Sequence, residues 1–255
     1  MQYIFLSHDV DWRKQGHPIE HILSRKDRFE PELFEKTKPE DLYRNIPDYM
    51  ELEEKFDIRS TFFFRTFYEN GNVLDYEDDI KQLQKSDWEI GLHMNPSSIN
   101  DLDKIRLEKE KLESITGKQI IGNRVHFLNY NSELPSKLEK LGFSYDSSLR
   151  HSKDRIDEKE MGYSRIRGII EFPVTLMDAY LFTCMKIQEE KIISEFQKTL
   201  DLGRSLSENN VISVIWHDNV LKMKGGRMYN QILEFLTSQD DVEIKCGIDL
   251  VKILK

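Results

Sequence analysis

The sequence predicts an α/β protein whose strands form one mostly parallel sheet, either open or closed into a barrel. Two patterns along the 255 residues carry this prediction: short apolar runs of strand length, and charged amphipathic stretches of helix length that alternate with them. Repeated strand–helix units favour parallel pairing through crossover helices. In such sheets the active site lies at the carboxyl ends of the strands, so polar residues at those ends are the candidates for function.

The apolar runs are predicted as strands and the amphipathic stretches between them as helices. The strands are Tyr3 to Ser7, Ser60 to Phe64, Glu89 to His93, Gln119 to Gly122, Ile169 to Pro173, Val211 to His217 and Val242 to Lys245. The helices are Pro39 to Phe56, Asp75 to Lys85, Leu102 to Thr116, Ser132 to Leu141, Gln188 to Asn209 and Gly226 to Ser238. In one of these helices, Leu134, Leu138 and Leu141 recur at helical spacing.

The segment 13–38 interrupts this alternation. It contains His17 and His21, which would share one face of a helix and could chelate zinc. A glycine and a proline beside His17 disfavour a regular helix, so a solvated flap is the favoured interpretation. Basic side chains of the flap could contact a phosphate-bearing substrate. We expect residues 1–255 to form a single domain that carries this flap.

Composition excludes several classes of function. A formal charge of −9 and a pI near 5.4 disfavour a nucleic-acid partner held by neutralised phosphates. The amino terminus lacks a cationic leader with a long apolar region, and no segment has the roughly 20 apolar residues of a membrane span. These features predict a cytoplasmic location, from which any lipid-linked substrate would be reached outside the bilayer.

The first strand ends in two carboxylates, which is unusual for an apolar run. Asp9 and Asp11 are two residues apart and therefore project from the same face of an extended chain. This arrangement suits one acid for a metal and one for a proton. The alternative is a structural role, because acidic residues also cap the helix that follows a strand.

Other polar residues collect at the ends of the remaining predicted strands. They are His93, Arg124, His126, Asp178 and His217. A single histidine in such a place is more often structural than functional, but several converging on one edge favour an active site. Trp12 and Trp216 flank this set, and either could form the wall of a sugar-binding site.

Six ordered motifs resemble those of the polysaccharide deacetylases with the NodB-homology domain, also called carbohydrate esterase family 4. The motifs are His8-Asp9-Val10-Asp11, Ser60-Thr61-Phe62-Phe63-Phe64, Glu89-Ile90-Gly91-Leu92-His93, Gly122-Asn123-Arg124-Val125-His126, Tyr145-Asp146-Ser147-Ser148 and Ile215-Trp216-His217. They span nearly the whole chain in the expected order. The sequence looks closest to the WbmS-like branch, found with genes for surface-polysaccharide and lipopolysaccharide biosynthesis.

The resemblance implies a distorted (β/α) barrel that removes an N-acetyl group from a sugar with the help of a divalent metal, most simply zinc. By that analogy Asp9 would be the general base, while Asp11 and His93 would bind the metal. Arg124 would orient Asp9 and keep it ionised. His217, steadied by Asp178, would protonate the leaving amine. This division is chemically reasonable because an amide is a poor electrophile and its amine leaves only when protonated.

One position departs from the family pattern. The usual second motif has two histidines four residues apart, but here Ser97 stands where the second would be. A neutral hydroxyl is a poor zinc ligand. Three interpretations follow: His126 supplies the missing nitrogen, Asp11 and His93 bind metal weakly with water, or the protein is metal-free. The first is favoured because imidazole is a common zinc ligand and His126 is expected at the same edge of the sheet.

The substrate predicted from these features is an N-acetylated sugar precursor, either nucleotide-linked or lipid-linked. Two alternatives remain open. The lost second histidine could mark a catalytically inactive carbohydrate-binding relative, which would bind sugar without turnover. The same fold could also hydrolyse a different amide, such as a formamide or ureide, without metal.

Overall fold

The computed structural model describes residues 1–14, 19–69 and 71–254. Its strands are β1 (Gln2–Val10), β2 (Thr61–Phe64), β3 (Phe67–Tyr68), β4 (Gly71–Asn72), β5 (Glu89–Met94), β6 (Gly122–Val125), β7 (Tyr145–Asp146), β8 (Ser164–Ile166), β9 (Ile169–Glu171), β10 (Val174–Met177), β11 (Asn210–Ile215) and β12 (Val242–Lys245). Its helices are α1 (Ile19–Leu23), α2 (Pro31–Lys36), α3 (Pro39–Leu42), α4 (Ile46–Glu54), α5 (Glu77–Lys85), α6 (Leu102–Thr116), α7 (Leu134–Lys140), α8 (Asp178–Thr183), α9 (Ile192–Leu206), α10 (Tyr229–Thr237) and α11 (Gly247–Ile253).

The main sheet is mostly parallel and curls toward a barrel. Its strand order is β10-β11-β1-β2-β5-β6-β7-β9-β8, with β12 also paired to β1. Among the described strands of this sheet, only β8 and β9 pair antiparallel, and β3 and β4 form a separate antiparallel pair. Strand β10 begins shortly after β9 ends, yet the two lie near opposite ends of this order. The short connection between them forces the sheet to curl back on itself. The distorted (β/α) barrel predicted from the sequence is therefore confirmed.

Strand β1 lies at the centre of the sheet. Along one side it pairs with β11, with Gln2 opposite Asn210 and Ser7 opposite Ile215. Along the other side its first half pairs with β12 and its second half with β2. A strand flanked on both sides and covered on both faces reads as a near-continuous apolar run. This explains why β1 is readable from the sequence. It also brings Asp9, near the end of β1, and Asp11, just after it, to the mouth of the barrel.

The apolar core has two layers, separated by the sheet. Phe62 and Phe64 face the outer layer beneath the helices, whereas Phe63 faces a smaller inner cluster, as strand alternation requires. In the inner cluster Phe5 packs against Phe63 and Tyr145 in edge-to-face geometry, with ring centroids 6.4 and 5.7 Å apart. These aromatic rings fill the barrel interior and form a floor under the polar residues at its mouth.

Several predicted elements need correction. The predicted helix from Pro39 to Phe56 is broken into α3 and α4. The first piece ends at Leu42, whose carbonyl oxygen accepts a hydrogen bond from the side-chain amide of Asn45. Asn45 directly precedes the second piece, which has Pro47 in its first turn. The strand predicted before Gly122 lies after it instead, which places Arg124 within β6. Strand β10, just after Pro173, was not predicted.

The flap between β1 and α3 packs on the rest of the molecule over the range 19–38. Ile22 and Phe29 are buried in a cluster with Tyr43 and Met223. The proposed pair of His17 and His21 lies partly outside the described residues, because the structure describes only the second of them. In the described part of the chain, no helix is both long enough and apolar enough to cross a membrane.

Candidate active site

The candidate active site forms around Asp9, near the end of β1. This side chain is buried, and its Oδ1 accepts a hydrogen bond of 2.7 Å from Nη1 of Arg124. Burial opposes ionisation of Asp9 and would raise its pKa. The positive charge of Arg124, together with that of His93 and His217, outweighs this effect, so the pKa of the Asp9 carboxyl is lowered. Asp9 is therefore a carboxylate at neutral pH, able to accept a proton.

Arg124 of β6 is completely buried, and its guanidinium makes hydrogen bonds to β1 and to the residue that follows β7. Its Nη1 also donates to Oγ of Ser7 at 2.8 Å, while Nε and Nη2 donate to the carbonyl oxygen and hydroxyl of Ser147, each at 2.9 Å. The guanidinium lies 4.4 Å from the ring centroid of Phe63. With its donors satisfied, Arg124 holds Asp9 in one orientation.

Asp11, His93 and His126 bring three ligand-type atoms together. Oδ1 of Asp11, Nε2 of His93 and Nδ1 of His126 are each 3.1 Å from the other two. Two donors about 2.0–2.1 Å from a tetrahedral zinc ion would be separated by roughly 3.4 Å. The triangle is slightly tighter than that, and its two imidazoles and one carboxylate are the donor types of catalytic zinc sites. The residues present therefore fit a divalent metal.

The orientation of these ligands is set by their surroundings. Nδ1 of His93 donates to the carbonyl oxygen of Arg124 at 3.0 Å, which leaves its Nε2 lone pair facing the triangle. His126 follows β6 and precedes Phe127, a residue in the left-handed region at φ 63°. This turn directs the His126 ring back toward the mouth of the barrel. Burial lowers the pKa of His126, so its imidazole is neutral, the form that binds metals.

His217 faces the triangle from the opposite side, two residues after β11. Its Nδ1 is 2.6 Å from Oδ1 of Asp178, and its backbone N–H donates to Oδ2 of the same carboxylate at 2.7 Å. Its Nε2 lies 3.7 Å from Oδ2 of Asp11. Burial opposes protonation, yet nearby carboxylates, led by Asp178, raise the pKa of His217 to about 10. In the metal-free protein His217 is an imidazolium at neutral pH.

Asparagine at position 178 is expected to lower the pKa of His217 from about 10 toward its ordinary value of 6.5. Because the folded-state pKa is raised, protonated His217 stabilises the fold fully below about pH 6.5, and this contribution is lost as pH rises through about 10. The measurement is an NMR pH titration of the His217 ring in metal-free wild type and Asp178→Asn, with urea unfolding at matching pH values. Identical titrations would contradict the assignment of Asp178 as the main partner.

The two tryptophans predicted as sugar-binding walls have different environments. Trp12 is partly exposed, and its ring packs on His21 with centroids 4.2 Å apart. Trp216 is 0% exposed, and its Nε1 donates to the carbonyl oxygen of Gly226 at 3.1 Å. The prediction that Trp216 contacts substrate is therefore wrong. Successive side chains of an extended chain point in opposite directions, so with His217 facing the groove the Trp216 ring faces the core beneath α10.

Two cavities open beside the triangle, on either side of Trp12. One, of about 480 Å³, is lined by Arg65, His126 and Phe127. The other, of about 410 Å³, extends past His217 toward the flap. Asp11, Trp12 and His21 line both. Together the cavities form a groove of the size that small-molecule ligands occupy, with the candidate metal ligands at its middle.

Sequence reasoning did not identify three residues that support the site. Ser7 and Ser147 hold Arg124, as described above, and Asp218 is a buried acid whose backbone N–H donates to the carbonyl oxygen of Asp9 at 3.2 Å. Burial raises the pKa of Asp218 well above its usual value. Strand periodicity could have indicated Ser7, which shares a face with Asp9. Ser147 stands in one of the six motifs, which did not indicate its role, and Asp218 had no comparable signal, because both roles depend on contacts distant in sequence.

Comparison with known proteins identifies the fold. No family model and no curated protein matches the sequence. Among solved structures, one described as a polysaccharide deacetylase from Mycobacterium smegmatis superposes with a TM-score of 0.70 at 18% identity, covering 99% of this chain and 89% of that one. Puue allantoinase gives 0.69 at 16% identity, with 98% and 89% covered. A wild-type CE4 family pseudoenzyme from Bacillus anthracis gives 0.60 at 11% identity, with 98% and 65% covered. The chain thus has the fold shared by these proteins.

Proposed function

We propose that this protein is a metal-dependent carbohydrate N-deacetylase, a hydrolase of the linear amide bond of an N-acetylated sugar. The observation that carries the proposal is the placement of a carboxylate base, a three-residue metal-type ligand set and an imidazolium acid around one groove. The likeness of the fold to a structure described as a polysaccharide deacetylase agrees with it. Residues 1–255 would form one catalytic domain with the flap at 13–38.

Asp9 is the proposed general base. Its carboxylate is ionised, fixed by Arg124 and directed with Oδ2 toward the triangle, 3.8 Å from Nε2 of His93. A water held between the triangle and Asp9 would lose its proton to Asp9 as it attacks the amide carbon. A divalent ion held by Asp11, His93 and His126, most simply zinc, would polarise the carbonyl and make that water more acidic.

His217 is the proposed general acid. Asp178 fixes its ring so that Nε2 points into the site, and in the metal-free protein nearby carboxylates, led by Asp178, keep this ring protonated. The proton can pass to the amine nitrogen as the carbon–nitrogen bond breaks. Base and acid therefore have different protonation states in the same site, as two-step proton transfer requires. Trp12 would form a wall against the sugar ring.

Metal content tests the ligand set directly. Purified wild type is expected to contain close to one divalent ion per chain by elemental analysis after supplementation, and His126→Ala and His93→Ala to contain much less, because each removes one of three ligands. His151→Ala is the matched control, since this histidine is exposed and outside the triangle. Full metal content in His126→Ala would show that the ligand set is wrong.

Acetate release from N-acetylated sugars tests the reaction. Activity is expected with the metal-loaded enzyme, to be lost on treatment with a chelator and to return when zinc is added. Chelator-insensitive turnover would favour a metal-free amide hydrolase, an alternative to which the allantoinase of the same fold draws attention. Sugar binding without any turnover would favour a binding-only relative, as the pseudoenzyme of this fold illustrates.

The biological setting of the reaction is also part of the proposal. We place the enzyme in the cytoplasm, where it would act on nucleotide-linked or lipid-linked precursors during surface-polysaccharide or lipopolysaccharide biosynthesis, in line with the resemblance to the WbmS-like branch. The support for this setting is the order of the six motifs, which carries that resemblance. Finding the protein exported, or active only on finished polymer, would contradict it.

A further inference from the structure

The second cavity of the groove ends in a cluster of basic side chains that the proposed reaction does not use. Beyond His217 and Trp12 it is lined by Arg25 and Arg28 of the flap and by Lys224 of the loop after β11. The flap and the loop are joined there, because the backbone N–H of Lys224 donates to the carbonyl oxygen of Arg28 at 2.7 Å. Two segments far apart in sequence thus bring three cations to one wall.

These cations lie close to the catalytic residues. Trp12 follows the metal-type ligand Asp11 directly, its ring contacts His21 at 4.2 Å, and Nδ1 of His21 is 2.9 Å from Nη1 of Arg25. Both arginines contribute to lowering the pKa of His21, after burial, which shows that their charge reaches into the groove. A ligand with its acetamido group at the triangle would extend past Trp12 toward these side chains.

In the part of the chain that the structure describes, the charges of the three cations are only partly offset by acidic side chains. In the described parts of the chain, no carboxylate forms an ion pair with Arg25, Arg28 or Lys224. Within the described residues, Nζ of Lys224 donates to a backbone carbonyl, that of Asp27, at 3.0 Å. Three carboxylates also line the cavity: Asp27 lies beside the three cations, whereas Asp11 and Asp178 belong to the proposed catalytic site. Lys224 also contributes to lowering the pKa of Glu189, so its charge is partly offset.

The neighbouring basic residues of the same loop are paired with acids. Nζ of Lys222 is 2.6 Å from Oδ2 of Asp48, and Arg227 bonds Glu189 at 2.6 Å and Glu30 at 2.7 Å. The excess of positive charge is therefore specific to the end of the cavity. In a chain with a formal charge of −9, such a local excess points to an anionic ligand.

We propose that Arg25, Arg28 and Lys224 form a binding site for the phosphate group of a phosphorylated N-acetylated sugar. Guanidinium groups bind phosphate oxygens with two parallel hydrogen bonds, and an ammonium adds a third, flexible donor. This inference rests on the proposed deacetylase function and specifies its substrate class: the enzyme acts on a sugar still carrying its phosphate. A phosphate ester and a diphosphate carrier share this chemistry.

Binding of matched sugars tests the site without relying on turnover. Calorimetric titration of the metal-loaded protein would compare N-acetylglucosamine and N-acetylgalactosamine with their 1-phosphates. The phosphates are expected to bind at least about tenfold more tightly, with an advantage that decreases as salt is added, because a hydrogen bond to a charged group contributes at least that factor. Arg25→Gln, Arg28→Gln and Lys224→Gln should each reduce the advantage, and the triple variant should remove it.

Lys26→Gln provides the matched control. Lys26 lies in the same turn of the flap and is exposed, but it does not line the cavity. This variant should bind the phosphorylated sugars as wild type does. An equal effect of Lys26→Gln would show a general charge effect and overturn the site. Equal or undetectable binding of the neutral and phosphorylated sugars would overturn it as well.

The same titrations distinguish the source of the phosphate. Tighter binding of UDP-linked sugars than of the 1-phosphates would identify a nucleotide carrier. Tighter binding of farnesyl diphosphate-linked sugars would identify a lipid carrier. Release of acetate from neutral sugars with no phosphate preference would overturn the inference and leave the deacetylase proposal intact. Preferential binding of phosphorylated sugars without acetate release would support the anion site and contradict the deacetylase.

Discussion

Replacement of Asp9 by asparagine is expected to lower the rate of acetate release by about 10²–10⁴-fold, the range that a general base contributes. The amide has the shape of the carboxylate and can still accept the hydrogen bond of Arg124 through its oxygen. It cannot accept the proton of the attacking water. The substitution therefore removes one chemical step and leaves the surrounding packing in place.

Metal content separates this role from ligation. Asp9 is not part of the 3.1 Å triangle formed by Asp11, His93 and His126, so Asp9→Asn should keep its metal while turnover is lost. Elemental analysis beside single-turnover kinetics gives both quantities, and a thermal melt confirms that the variant is folded. An empty site in Asp9→Asn would show that the roles of Asp9 and Asp11 have been exchanged.

Replacement of Arg124 by methionine is expected to reduce the free energy of unfolding by about 3–5 kcal/mol, the usual cost of leaving one partner of a buried ion pair alone. Asp9 would remain as a buried carboxylate without its partner, and the acceptor atoms of Ser7 and Ser147 would lose their donors. Urea unfolding monitored by circular dichroism measures the loss.

A double-mutant cycle distinguishes the charge from the packing. If the cost comes from the unpaired carboxylate, Asp9→Asn combined with Arg124→Met should be less destabilised than the sum of the single variants. Arg155→Met is the control, because Arg155 is exposed and the loss of its ion pair with Asp157 should change stability by less than about 0.5 kcal/mol. If the losses of stability in the two single variants simply add in the double variant, the cost of Arg124→Met comes from packing alone.

Elements with two buried faces were the most predictable. β1, β5 and β11 are rich in apolar residues and buried along nearly their whole length, and α6 was predicted with the ends that the structure shows. The short strands β7 and β8 were missed, because two or three residues are too few to show a period. β10 was missed because Pro173 reads as the end of a strand, whereas here the extended chain passes through it and changes partners.

The site was less predictable than the fold for a physical reason. The sequence placed Asp9, Asp11, His93 and His217 at strand ends, and parallel strands bring such ends together. Side-chain direction near a strand end depends on the exact residue at which the strand stops. Trp216 was misassigned for this reason, and the serines that hold Arg124 could not be identified without knowing which strands are neighbours.

The position of β1 at the centre of the sheet has a consequence for how the chain acquires its active form. β1 carries Asp9, the proposed base, and is synthesised well before its partners, because Gln2 pairs with Asn210 and with Val242. At about 5–20 residues per second on the ribosome, roughly 10–40 s pass before these partners exist. Until then one entire side of β1 is an open edge. Contacts this distant along the chain slow folding, so the proposed active site is completed only after β11, which is followed by His217, has been synthesised.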